Sequence, residues 1–185
     1  IGKFDTHIIN NIKNLGQGAS IRIGVEYALK ENAEYFATFD SDGQHNSDDL
    51  YNMLNYLIDN NLDIVIGSRF MNSDLKISFL RKIILKSAIQ IEYLFYGIKK
   101  TDAHNGLRVF NKKSALCLDL SENRMAHSSI IIQSIVFNKL KFKEFPVKIN
   151  YNIANRKHKQ KNINSIIIFS KILQKKIEYL FKKSN

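Results

Sequence analysis

Between residues 6 and 70 the sequence alternates short β-prone apolar runs with amphipathic stretches, and this alternation limits the fold more than any other feature. "THIINNI" (6–12) reads as a short strand. After the turn "NLGQG", residues 19–31 place Ile21, Val25, Ala28 and Leu29 on one helix face. "EYFATFD" reads as a second strand, and "NSDDL" begins the next helix. There Asn46 or Ser47 can cap the helix, and Asp48 and Asp49 suit its positive end. Leu50, Met53, Leu54, Leu57 and Ile58 line one face of that helix. "LDIVIGSRF" is a third, continuously apolar strand. Strand, helix, strand, helix, strand implies an α/β fold whose central sheet is mainly parallel and joined by crossover helices.

After residue 70 the pattern changes. Residues 77–96 form a long helix carrying both apolar and basic side chains, ended by Gly97. "DAHNGLRVF" reads as a loop and a short strand, and 111–119 and 127–139 read as helices. "KFKEFPVKINY" alternates at Val147, Ile149 and Tyr151; Pro146 interrupts it, which marks an edge strand or a break. "NRKHKQKN" is a basic loop. Residues 163–181 form an amphipathic helix, with Ile166, Phe169, Leu173, Ile177 and Leu180 on one side and lysines elsewhere. The expected division is a domain over 1–160 and a basic helix over 161–185.

The chain has 28 Lys and Arg against 17 Asp and Glu, a net charge of +11, which calls for an anionic partner: nucleic acid, a phospholipid surface or a phosphorylated substrate. The basic residues are scattered and show no nucleic-acid-reading motif, so nucleic acid is set aside. The one cysteine, Cys117, cannot form an internal disulfide; a reducing compartment and a packing role are expected. No uncharged apolar run reaches the ~18 residues of a membrane span. The five histidines lack metal-ligand spacing, and Gly16-x-Gly18 lacks the rest of a dinucleotide fingerprint.

Against this basic background, Asp40, Asp42 and Gln44 stand out at the end of a buried strand. Open α/β sheets bind ligands beyond the carboxyl ends of their strands. Alternate residues of an extended segment face one side, so these three can present oxygens together. Hard cations such as Mg²⁺ or Mn²⁺ take oxygen ligands and leave positions open for phosphate oxygens. The competing reading is a polar turn that only caps a helix.

"NLGQGASIRIGVEYA", "FDSDGQHNSDDL", "DIVIGSRF" and "DAHNGLRVFNKKSA", in this order, resemble family-2 glycosyltransferases of the GT-A fold, in particular the dolichyl- and polyprenyl-phosphate sugar synthases. The likeness covers roughly residues 6–151. It implies transfer of a hexose, with inversion, from a UDP- or GDP-sugar to a polyprenyl phosphate. It also implies that Asp40 lies against the nucleotide sugar and that Asp42 and Gln44 hold the metal at the diphosphate. Arg156 would close over that diphosphate. Arg69, Arg81 and Arg108 would serve the acceptor, and Asp102 is the candidate base if the acceptor is a sugar hydroxyl.

Two departures bear on these roles: residues 125–132 lack the acidic residue usual in relatives, and Asn46-Ser47 replaces a proline after the metal motif. The family's opening strands are also expected to be missing, which would leave an open strand edge beside residues 35–40. A transferase extending a surface polysaccharide, or a truncated, non-catalytic basic membrane-binding module, are the alternatives. The implied location is cytoplasmic, peripheral at the inner face of the membrane. If helix 163–181 lies in a membrane interface, removing 163–185 should abolish sedimentation with anionic liposomes; unchanged sedimentation would reject that role.

Overall fold

The computed structural model describes residues 6–72, 79–103, 105–119 and 127–150. Among them, the elements are α1 (Gln17–Lys30), β1 (Tyr35–Thr38), α2 (Ser47–Asp59), β2 (Ile64–Ser68), α3 (Phe79–Tyr96), β3 (Arg108–Asn111), α4 (Lys112–Cys117), α5 (His127–Phe137) and β4 (Phe142–Pro146). The amphipathic segment 163–181 lies outside the described residues.

The sheet runs β1-β3-β2-β4. β3 is antiparallel to both β1 and β2, and β4 is parallel to β2. The sheet is therefore mixed, which corrects the mainly parallel arrangement expected from the alternating pattern. β1 and β2 do run in the same direction, as a crossover through α2 requires. They are not neighbours, because β3 returns from α3 and fills the position between them. Periodicity reports which faces of a strand are buried, not which strand lies beside it or in which direction.

The segment 6–12, expected to be a strand, is irregular and exposed, with Ile8 and Ile12 facing out. It is tied to α1 by a Tyr27–His7 hydrogen bond of 3.1 Å and by Asn11 donating to Ser20 Oγ at 3.2 Å. β1 is consequently the terminal strand of the sheet, paired on one side by β3. β4 forms the opposite edge and ends at Pro146, where a residue without an N–H is tolerated.

The two-residue strand period divides the core. Phe36, Ile64, Ile66 and Phe110 face α1, α4 and α5, whereas Val65, Val109 and Leu107 face Met53 and Leu57 of α2. Phe36 and Phe110, directly opposite in register, stack with centroids 5.5 Å apart. Asn46 caps α2, its side chain accepting from the Asp48 N–H at 3.1 Å, with Asp48 and Asp49 in the first turn.

Asp63 ties the start of β2 to its neighbours. Its carboxylate accepts from the Lys141 N–H at 2.8 Å, from Lys113 Nζ at 2.9 Å and from Asn111 Nδ2 at 3.1 Å. Its carbonyl takes the Ser114 hydroxyl at 2.7 Å and the Asn111 N–H at 3.0 Å. Burial alone would raise the Asp63 carboxyl; the hydrogen bonds from Lys113, Lys141 and Asn111 outweigh it and hold the group below the usual carboxylate range. The stability from this depression is present above the unfolded value, about pH 4, and is lost as pH falls through the folded value. Asp63→Asn should cost about 1–3 kcal/mol at neutral pH. The gap between variant and parent should narrow at about pH 3, as urea unfolding at the two pH values would show.

Candidate active site

The carboxyl ends of β1, β2 and β4 and the amino end of β3 meet at one edge of the sheet, because β3 alone runs the other way. The residues singled out in "FDSDGQH", "GSR" and "DAHNGLR" are delivered there by three separate strand ends.

Asp40 lies two residues beyond β1. Gln17, at the start of α1, donates from Nε2 to Asp40 Oδ1 at 3.0 Å. On its other side the carboxylate fills the space that a side chain at 106 would occupy. A Cβ there would sit 2.8 Å from Asp40 Cγ and closer still to Oδ2. The loop is held against β1 by the Thr38 hydroxyl, which donates to the Gly106 carbonyl at 2.5 Å. Arg108, opposite Thr38 on β3 and buried, forms part of the floor. Burial lowers its pKa to about 10, while the Asp40 and Glu92 carboxylates pull the other way. The guanidinium therefore remains a cation at neutral pH. Glu92, buried on α3, pairs with Lys100.

Asp42 is exposed in the turn that follows, where Gly43 has φ 76°. The backbone N–H of Gln44 donates to Asp42 Oδ1 at 3.0 Å, and its side-chain Nε2 donates to Oδ2 at 2.6 Å. The two side chains thus meet as expected, with the Gln44 amide nitrogen toward the carboxylate. Turning that amide over presents Oε1 beside Asp42. One exposed carboxylate with one amide oxygen suits a hard cation that takes its other ligands from phosphate and water. Among the described residues there is no cluster of three or more His, Cys, Asp or Glu able to enclose a metal.

His45 completes the turn with its ring 5.9 Å from Phe39 and its Nε2 3.8 Å from Asp40 Oδ2. Burial lowers its pKa against the opposing pull of Asp40 and Asp42, so the imidazole is neutral at pH 7.

Arg69 follows β2 and forms a buried fork-to-fork pair with Asp102. Nε and Nη2 donate to Oδ2 and Oδ1, each at 2.8 Å, and Nη2 also donates to the Ala103 carbonyl at 2.6 Å. The Arg69 N–H adds a bond to Oδ2 at 2.8 Å, and the Ala103 N–H one to Oδ1 at 2.7 Å. Both Asp102 oxygens are thus committed inside the protein. This is the position of a residue that orients Arg69, whereas the sequence reading made Asp102 the candidate base for a sugar-hydroxyl acceptor. Arg81 is on the first turn of α3, but its side chain, like all of Arg156, lies outside the described residues.

Residues 2–118 match the family described as glycosyl transferase family 2. The chain belongs to that family. It is 32% identical over 174 residues to an uncharacterised protein of Methanocaldococcus jannaschii, covering 92% of this chain and 72% of the relative. It is 31% identical over 148 residues to the UDP-N-acetylglucosamine–dolichyl-phosphate N-acetylglucosaminyltransferase of Methanococcus voltae, covering 77% of this chain and 59% of that protein. The low-salt glycan biosynthesis hexosyltransferase of Haloferax volcanii is 28% identical over 120 residues, 62% of this chain and 28% of the relative.

Within this family-2 chain, residue reasoning missed Gln17 and Gly106. "NLGQG" reads locally as a turn, although the family likeness includes it; the Gln17–Asp40 contact spans 23 positions of sequence. Gly106→Ala tests the close approach. Its backbone is not in the left-handed region, so the added methyl acts by displacing the Asp40 carboxylate alone. The variant should fold normally by circular dichroism and bind a nucleotide sugar about tenfold or more weakly by calorimetric titration.

Proposed function

We propose that the chain holds the donor and acceptor groups of a transferase that moves a hexose from a UDP- or GDP-sugar to a polyprenyl phosphate, with inversion. The observation that carries this reading is the convergence of Asp40, Asp42 and Gln44 with the buried Arg69–Asp102 pair at one sheet edge. Ligands of open α/β sheets bind at such an edge.

In this reading Asp40, held by Gln17 and backed by the Arg108 cation, faces the nucleotide sugar. Asp42 and Gln44 would hold Mg²⁺ or Mn²⁺, which when bound supplies positive charge against the diphosphate. Arg156, which lies outside the described residues, is assigned to the diphosphate by the sequence likeness. An acceptor phosphate oxygen attacks the anomeric carbon from the face opposite the diphosphate. The bond to the departing diphosphate breaks, and its electron pair leaves with the diphosphate. A phosphate oxygen is already anionic and needs no general base. This agrees with the commitment of Asp102 to Arg69 and with the absence of an acid in 125–132. Arg69, together with Arg81, is assigned to the acceptor phosphate.

The named activity of the Methanococcus voltae relative supports the acceptor class. The outer face of α3 supports work at a membrane surface: Phe79, Ile83, Tyr93 and Leu94 are exposed beside the exposed Lys82 and Lys86. No helix among the described residues is long and apolar enough to cross a membrane.

Titrating UDP- and GDP-sugars into the chain with and without Mn²⁺ tests the donor side. Mn²⁺ should strengthen binding, and Asp42→Asn should remove the increment without lowering the melting temperature, because Asp42 is exposed. Equal binding with and without Mn²⁺ would remove the metal assignment. Transfer to a sugar hydroxyl of a glycan but not to an isoprenyl phosphate would favour the polysaccharide-extending alternative.

A further inference from the structure

Glu144 lies in the middle of β4, opposite Ile66 of β2 in register. Its side chain crosses to the loop after α3. Oε2 accepts the Thr101 N–H at 2.6 Å, and Oε1 accepts the Asp102 N–H at 3.0 Å. One carboxylate thus collects two successive backbone donors, as an anion does in a backbone nest. The same two residues face β2 with their side chains. The Thr101 hydroxyl meets the Ser68 hydroxyl at 2.7 Å, and the Asp102 carboxylate takes the Arg69 fork.

We infer that Glu144 is a positioning residue for Arg69, acting through Asp102. β2 ends at Ser68, and Arg69 lies just beyond the regular ladder. Asp102 orients the guanidinium only if its own backbone is fixed, and Glu144 holds the backbone N–H groups of Thr101 and Asp102. The order of action is β4 to loop, loop carboxylate to guanidinium, guanidinium to ligand. Beyond Glu144 the same strand segment also reaches the donor turn. The Val147 N–H donates to the Ser68 carbonyl at 3.0 Å, and the Asn150 N–H to the Gln44 carbonyl at 2.9 Å. The edge strand is thereby a common brace for both halves of the site.

The inference rests on the assignment of Arg69 to the acceptor phosphate, and the test separates the two. The chain, Arg69→Ala, Glu144→Gln and the double variant are titrated with geranyl phosphate, and separately with the nucleotide sugar in Mn²⁺. Glu144→Gln keeps the shape of the side chain but sets an amide NH₂ against one of the two N–H donors. It should weaken geranyl phosphate binding about tenfold and leave nucleotide-sugar binding unchanged. Its effect should largely vanish in the Arg69→Ala background, because the two act on one contact. A general loss of packing would lower both affinities together and would add to the Arg69→Ala effect; either result overturns the inference. If Arg69→Ala weakens geranyl phosphate binding and Glu144→Gln does not, the inference alone fails. If Arg69→Ala is itself silent, the acceptor assignment falls and the inference with it. Should Glu144→Gln fail to fold, amide exchange in the parent chain decides. Protection at Thr101 and Asp102 should rise on geranyl phosphate addition, and unchanged protection overturns the inference.

Discussion

The buried pair of Arg69 and Asp102 is the interaction on which the site edge depends. It joins the residue after β2 to the loop after α3, two segments that share no ladder of backbone bonds at that point. Desolvating two charges is costly, and an ion pair of this kind adds little net stability over a well-packed apolar pair. Losing one member is a different matter: the partner is left buried and uncompensated, at about 3–5 kcal/mol. The pair therefore acts as a specification of geometry. It holds the loop at a height where Gly106 meets Asp40 and where β3 can enter between β1 and β2.

Charge runs through the site in layers. The chain as a whole carries +11, yet the turn after β1 presents carboxylates. Beneath them, Arg108 is a buried cation whose field falls on Asp40, and Glu92 lies on its other side. Glu92 is in turn answered by Lys100, and the Tyr96 phenol, pushed up to about 12 by burial and by the Glu92 carboxylate, stays neutral. Opposite charges thus alternate from α3 toward the strand end.

Much of the local structure was legible in the sequence. The helices expected at 19–31, 77–96, 111–119 and 127–139 appear as Gln17–Lys30, Phe79–Tyr96, Lys112–Cys117 and His127–Phe137. Apolar spacing marked the buried face of α1, whereas α5 buries Ile130, Ile131, Ile132 and Ile135 around its axis. The placement of Asp40, Asp42 and Gln44 at a strand end was also legible. Strand order was not, since the antiparallel insertion of β3 depends on how the loop before it is pinned. The segment 6–12 had strand composition but no strand beside it among the described residues, and composition alone cannot supply a partner. The commitment of Asp102 to Arg69 escaped notice because it joins positions 33 apart, and Glu144 because its bonds cross more than 40 positions.

The shared volume of Asp40 and Gly106 has a consequence for how this chain can diverge. The carboxylate occupies the place where a side chain at 106 would begin, so a change at one position constrains the other. A lineage that acquires a side chain at 106 must first shorten or redirect the residue at 40, and one that abandons the carboxylate releases 106 from its constraint. The glycine is therefore a mark of the acid: a side chain at 106 implies that the carboxylate at 40 has already moved or gone.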